Sequence, residues 1–438
     1  MRKISYQNIF CFLSILFIGT CCIFYGSRFI KLHFENEKVV SKSKNSLAEK
    51  IANNNKNNNN YKQINNEYYF IGNAENNYLE YSNILWRIIK INKNNEILAI
   101  SDSSLTSLAY GNTEFKKSYI NKWLNNIEND EYSGILEKVL NNKEELLIKT
   151  TTCLDKVKTI DNSECKEKSI DTYMSLLSTK DYANIGKESY LINKEYFYLI
   201  NQNEEDKIWQ ITNDGKIISS LGTDIIGVRP TITLKSNLTY LAGNGKKDDP
   251  YIIEEQRGLF GSYVKLDKDI WRIYEVNDKE VRLVLNDYIK INNKNLTYKY
   301  SNINSYHNDT KNGSIAYYLN KTFLNSLSYK NKIKEVKWSN GYYGSETKYD
   351  YKEALSNKVD SKVALISMGN IILNNELKDY YTMTGSIKNG TMVYAINENK
   401  KLFTKYIGTE LNVVPVISIE KDLLTEGNGT INSPYEME

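Results

Sequence analysis

Histidine, cysteine and proline are all scarce in this 438-residue chain, and each scarcity excludes something. Only His33 and His307 occur, so a triad built on imidazole would have to use one of them, and nothing near either suggests it. Of five cysteines, Cys11, Cys21 and Cys22 fall in an apolar N-terminal stretch, leaving Cys153 and Cys165 for the rest of the chain. No His-Glu-x-x-His, Cys-x-x-Cys, P-loop or Gly-x-Gly-x-x-Gly string is present. Charge of one sign is missing too. Lys+Arg 57 against Asp+Glu 53 gives a net +4, too little for a basic stripe, so nucleic acid is not an expected partner. Asp248-Asp249 and Asp267-x-Asp269 offer fewer oxygens than a calcium loop needs. Neither a metal nor a cofactor is expected, and no residue is assigned a catalytic role.

The four prolines are informative because they are few: an average chain of this length has about twenty. Pro230 and Pro415 lie 185 residues apart, each in a Val-x-Pro-x-Ile string, and Pro250 and Pro434 lie 184 apart, each separated by four residues from a Gly-Asn-Gly. Leu85-Trp86-Arg87-Ile88 likewise returns as Ile270-Trp271-Arg272-Ile273. The chain is written twice. A period this long exceeds any solenoid unit and matches the size of a whole domain. The expected boundaries are 66–257 for the first domain and 258–438 for the second, with no flexible linker between them.

Each copy opens with β-branched runs around a polar turn, read as a hairpin. A short helical segment follows, Tyr119 to Asn125 matching Ile315 to Asn320. Next come the Leu176-Leu177-Ser178 and Leu365-Ile366-Ser367 runs, then an aromatic strand, Tyr196-Phe197-Tyr198 aligned with Tyr380-Tyr381-Thr382. Proline after each Gly-Asn-Gly turn suits an edge strand, because it cannot donate to a ladder. Trp86 and Trp271, set among Leu and Ile, read as core, and Arg87 and Arg272 as solvent-facing or paired.

Arg2 and Lys3 precede an apolar run over residues 9–25, seventeen residues long, near the lower limit for crossing a bilayer. A cleaved signal peptide and a lipoprotein signal at Cys21 are alternatives; the length favours an uncleaved single-pass anchor over residues 1–26. Residues 27–65 then read as a juxtamembrane segment and an Asn/Lys-rich disordered linker, with too little apolar surface to order itself. The basic residues beyond the run argue for a cytoplasmic C-terminus; the short N-terminal flank and the paired cysteines argue for external domains at a cell membrane.

Leu85 to Ile88, Gly227 to Pro230, Gly243 to Gly245 and Asp249 to Tyr251 resemble a surface-protein domain of unknown function from low-GC Gram-positive bacteria, over residues 66–438. The second copy departs at Val414, where the pattern has arginine. The order of aromatic strand, turn and Gly-x-Arg strand is also similar to the C-type-lectin-like core of the formylglycine-generating-enzyme superfamily. That resemblance implies an α+β fold of two tandem C-type-lectin-like domains, placed on the surface and used for binding or adhesion. Tyr196, Tyr198, Trp209, Arg229, Tyr380 and Tyr381 fall in the segments that carry binding loops in such folds, and are the candidate ligand residues. The ligand would be a glycan, a peptide or a cell-wall component, with self-association into a surface assembly as the alternative. A formylglycine-generating enzyme needs a reactive cysteine pair, and the second copy has no cysteine; Cys153 and Cys165 read instead as a disulfide, with two buried thiols as the alternative.

Overall fold

The structure, a computed structural model, describes residues 46–437 except 112–113, 127–131, 154, 162–165, 167, 204–206, 307–312, 342–357, 374–376, 387–388 and 398–400. In the first repeat the β-branched runs form a sheet in the order Tyr240–Ala242, Tyr251–Ile253, Tyr78–Tyr81, Ile84–Ile91, Ile97–Ser101, Pro230–Leu234, Met174–Leu176. The second repeat has the same order: Leu424–Glu426, Tyr435–Met437, Tyr263–Leu266, Asp269–Val276, Glu280–Leu285, Pro415–Glu420, Val363–Leu365. In both, the strand after the Gly-Asn-Gly turn runs parallel to the repeat's opening strand, Tyr251 beside Leu79 and Tyr435 beside Val264.

A smaller sheet also repeats. Ile217–Ser220, Ile208–Ile211, Phe197–Gln202, Ile225–Val228 and Thr106–Ala109 correspond to Leu402–Tyr406, Met392–Ile396, Tyr380–Gly385, Glu410–Asn412 and Thr297–Lys299. Register corrects the aromatic alignment by one residue. Phe197 lies beside Gly227 and Tyr380 beside Asn412, so Phe197 matches Tyr380 and Tyr198 matches Tyr381. The contacts agree. Tyr198 packs edge-on to Tyr110 and donates to Asp224 O, while Tyr381 packs edge-on to Tyr300 and donates to Thr409 O. A slip of one residue turns a strand's side chains to the opposite face, so the distinction decides what is buried.

Short helices connect the sheets. Ser118 and Ser314 cap them, each accepting from the backbone N–H three residues on. Asn125, at the end of the first, and Asn320, midway along the second, each bond both backbone groups of the facing strand, at Met174 and at Val363. The first helix is regular over Tyr119–Asn125, whereas the second carries a π turn over Tyr318–Phe323.

The matched glycines have a steric cause. Gly243 and Gly427 have φ of +89° and +86°, and a Cβ would lie 1.8 Å from Pro250 O and 2.0 Å from Pro434 O. Pro230 and Pro415 each begin a strand, opposite Leu176 and Leu365 of an edge strand, a position where no ladder donor is needed. Pro250 differs from expectation. It lies one residue before Tyr251–Ile253, and that strand is paired on both sides.

Three expectations are corrected. The α+β, C-type-lectin-like fold class gives way to a β-rich one, with 41% strand against 15% helix. The segments expected to be helical are short: Tyr119–Asn125 has seven residues, and its counterpart runs from Ile315 to Ser326 with the π turn in its middle. No helix among the described residues is long and apolar enough to cross a membrane, so the single-pass anchor and the cell-membrane localisation lose their support. Residues 9–25, on which that expectation rested, lie outside the described residues.

The Asn-rich segment also differs. Leu47, Ala48 and Ile51 bury one face of the Leu47–Asn55 helix, and Tyr61–Ile64 pairs with Glu67–Phe70, which extends the main sheet at Lys90 and Ile91. The asparagines are ordered by one another: Asn58 Nδ2 donates to Asn55 Oδ1 and Asn76 Oδ1, Asn60 Nδ2 to Ile71 O, and Asn54 Nδ2 to the Tyr251 hydroxyl. Side-chain amides here satisfy the polar groups that apolar packing could not cover.

The two repeats lie within one compact unit spanning residues 47–438. Trp123 Nε1 of the first donates to Gly369 O of the second at 2.7 Å, Ile372 N to Leu105 O at 2.8 Å, and Asn83 Nδ2 to Phe260 O at 2.6 Å. Ile371 and Ile372 are buried in this junction.

Candidate functional site

Most residues singled out from the sequence hold the fold. Trp86 and Trp271 are fully buried at matching ladder positions. Arg229 is fully buried, and its guanidinium donates to Ser101 O, Leu191 O and Asp102 O at 3.1, 2.7 and 3.0 Å while lying 4.7 Å from the Phe197 ring. Burial lowers its pKa, and the nearby carboxylates of Glu195 and Asp102 oppose that shift. Arg87 is buried rather than solvent-facing. It lies between the Tyr78 and Tyr190 rings at 3.8 and 4.5 Å and bonds Asn77 Oδ1 and Ala74 O. Tyr198, Tyr380 and Tyr381 are buried as well, and Trp209 is half-buried with its indole N–H on Val157 O. Of the candidate ligand residues, Tyr196 lines a cavity. Cys165 and both histidines lie outside the described residues, as does the Cys153 side chain. Among the described residues no group of three or more His, Cys, Asp or Glu is placed to hold a metal ion.

A wide opening lies over one face of the first repeat's main sheet, a cleft of about 1050 Å³. Its floor alternates across the strands through Lys90, Leu98, Thr231, Thr233 and Ser175, and its far wall includes Val157, Asn201 and Gln202. One end is a charged network. Lys90 Nζ is 2.9 Å from Asp181 Oδ1 and 3.0 Å from Glu67 Oε2, and the Tyr69 hydroxyl donates to Asp181 Oδ1 at 2.8 Å. The Ser178 hydroxyl, which caps the Thr179–Ile185 helix, donates to Asp181 Oδ2 at 2.7 Å. Burial alone would raise Asp181, but the Lys90 ammonium and these hydrogen bonds outweigh it and hold the carboxyl below its usual range. Burial would likewise depress Lys90, and the Asp181 and Glu67 charges reverse that, so it stays a cation. The network thus holds Lys90 and Asp181 as a fixed ion pair in their charged forms.

The second repeat fills the same face. Backbone Ile148 N meets Thr233 O in the first repeat, and Lys334 N meets Ser418 O in the second, which aligns the following hairpins. There Trp338, buried and bonded to Ser361 O, lies 4.8 Å from the Arg282 guanidinium, and Arg282 occupies the ladder position of Leu98. Glu275 stands where the first repeat has Lys90, and the strand pair that carries Tyr69 and Glu67 has no counterpart among the described residues. Sequence reading missed the cleft. Lys90 inside the apolar Ile88-Ile89-Lys90-Ile91 string was the one local signal, whereas its partner Asp181 is 91 residues away.

No family model, curated protein or solved structure matches this chain.

Proposed function

We propose that this is a non-catalytic binding protein whose first repeat takes an extended, polar ligand, a peptide or a glycan, in the cleft over its main sheet. The observation that carries the reading is the contrast at one face: closed by Trp338 over Arg282 in the second repeat, open over Leu98 and Thr233 in the first. Charged side chains of both signs, hydroxyls and amides make up most of the lining, a set that fits a ligand rich in hydrogen-bonding groups. Arrays of peptides and of glycans probed with the full chain test it, with Leu98→Trp as the blocking variant. A bound ligand lost on Leu98→Trp at unchanged melting temperature supports the reading. Silence of both arrays, or undiminished binding by Leu98→Trp, overturns it.

Self-assembly is the second reading, favoured by one observation. The edge strand Ile217–Ser220 is paired on one side only, and Ile218 and the adjoining Leu221 are 41% and 60% exposed. Concentration-dependent oligomers in light scattering, abolished by Ile218→Lys, would support it; a strictly monomeric chain would remove it.

A further inference from the structure

A second cavity, of about 400 Å³, lies where the two repeats meet. The first repeat contributes Lys194, Glu195, Tyr196 and Gln210, and the second contributes Lys401 from the turn after Met392–Ile396. Gln210 is the odd residue. It sits in Ile208–Ile211 among apolar neighbours, is 3% exposed, and its Oε1 has no hydrogen-bond partner. An orphaned buried carbonyl costs on the order of 1–3 kcal/mol, so a sequence retains one only under some compensation. The fold does not require it. Ladder register matches Gln210 to Ala395 in the second repeat, which is fully buried and apolar.

The surrounding charges define what would satisfy that oxygen. Lys401 Nζ stands 4.5 Å from the Tyr196 ring centroid, facing the cavity from the second repeat. Glu195, almost fully buried, is held in place by the Ser104 N–H at 2.6 Å. Cationic Lys194 and Lys401 therefore share the cavity with two acidic residues, the anchored Glu195 and Asp224, and one acceptor in need of a donor. We propose that this cavity binds a small zwitterion, a free α-amino acid or dipeptide. Its ammonium group donates to Gln210 Oε1 and Glu195, and its carboxylate meets Lys401. The volume falls within the range of small-molecule sites, and charge-assisted hydrogen bonds at both ends of the ligand set its orientation. Because the walls come from both repeats, occupancy would also tie them together.

The test is a thermal-shift and calorimetric titration of the full chain with the twenty free amino acids and with their N-acetyl amides, which lack both charges. At least one free amino acid should raise the melting temperature while its capped form does not. Gln210→Leu should bind that amino acid at least about tenfold more weakly, as should Lys401→Met. Unliganded Gln210→Leu should melt no lower than the parent, since no hydrogen bond is removed. A flat response to every free amino acid overturns the proposal. Equal binding of a capped form, or undiminished binding by Gln210→Leu, overturns it as well.

Discussion

Where the first repeat buries Arg229, the second buries Val414, and the two neighbourhoods diverge from there. In the first, Arg229 and Arg87 converge on Asp102, Arg229 on its carbonyl and Arg87 on its carboxylate at 3.6 Å. In the second, Arg272 alone bridges Gly261 O, Leu373 O and, from the neighbouring repeat, Asn83 O. The same framework thus supports a polar interior with an open face in one copy and a closed face with a docking segment in the other. Serine 178 caps a helix in the first repeat; Ser367, its counterpart, instead accommodates Asn370, and the chain after it enters the first repeat at Trp123. Duplication preserved the ladder and released the loops.

The strongest way to break the comparison is at the shared core. Trp86→Ala and Trp271→Ala should each cost about 3–5 kcal/mol, read as the shift in a denaturant midpoint. Near-equal losses would show that the two sheets depend equally on the repeated tryptophan.

Converting one copy toward the other should cost nearly as much. Arg229→Val removes a donor from the Ser101, Leu191 and Asp102 carbonyls, of which Asp102 O keeps the Asn193 amide, and leaves Glu195 and Asp102 without this buried cation; it should cost about 3–5 kcal/mol by chemical denaturation. The reverse change, Val414→Arg, buries an unpaired cation and should also destabilise. If Val414→Arg were neutral, the second repeat would hold a ready set of acceptors and the contrast would fail.

Acid should separate the repeats more gently. The folded-state pKa of Asp181 is depressed, so its contribution is present above the usual carboxylate range, about pH 4, and is lost as pH falls through the lower folded value. Lys90 is raised, so its contribution is complete below about pH 10 and lost only at higher pH. Melting temperature between about pH 5 and 2 should fall less steeply in Asp181→Asn than in the parent. Identical slopes would remove the network from the account.

The smallest expected effect concerns a position where polarity is reversed. Glu80 in the first repeat lies 3.8 Å from Arg257, and its ladder counterpart Lys265 lies 3.0 Å from Glu436. Both pairs are solvent-exposed, so Glu80→Ala and Lys265→Ala should each shift stability by less than about 1 kcal/mol.

How much could be read in advance follows from the range of the forces. The repeat, the buried tryptophans and the Gly-Asn-Gly turns were legible because each depends on local sequence: matched strings, a missing Cβ, apolar neighbours. The site was not. Tyr198 and Tyr381 looked like ligand platforms, yet both are buried with their hydroxyls on backbone carbonyls. Gln210 and Lys90, polar residues inside apolar strands, were the available signals for the two cavities, but neither string says which residues will face them.

The sequence by itself determined that this chain holds two versions of one framework, because turn glycines, proline positions and the Trp-Arg string are written in neighbouring residues, whereas its β-rich class was decided by the structure. Only the tertiary structure decided that the first repeat is open and the second closed. Lys90 meets Asp181, and Lys401 reaches Tyr196, through contacts between residues 91 and 205 positions apart. Such pairings are fixed by sheet order and packing, which no local stretch of chain encodes.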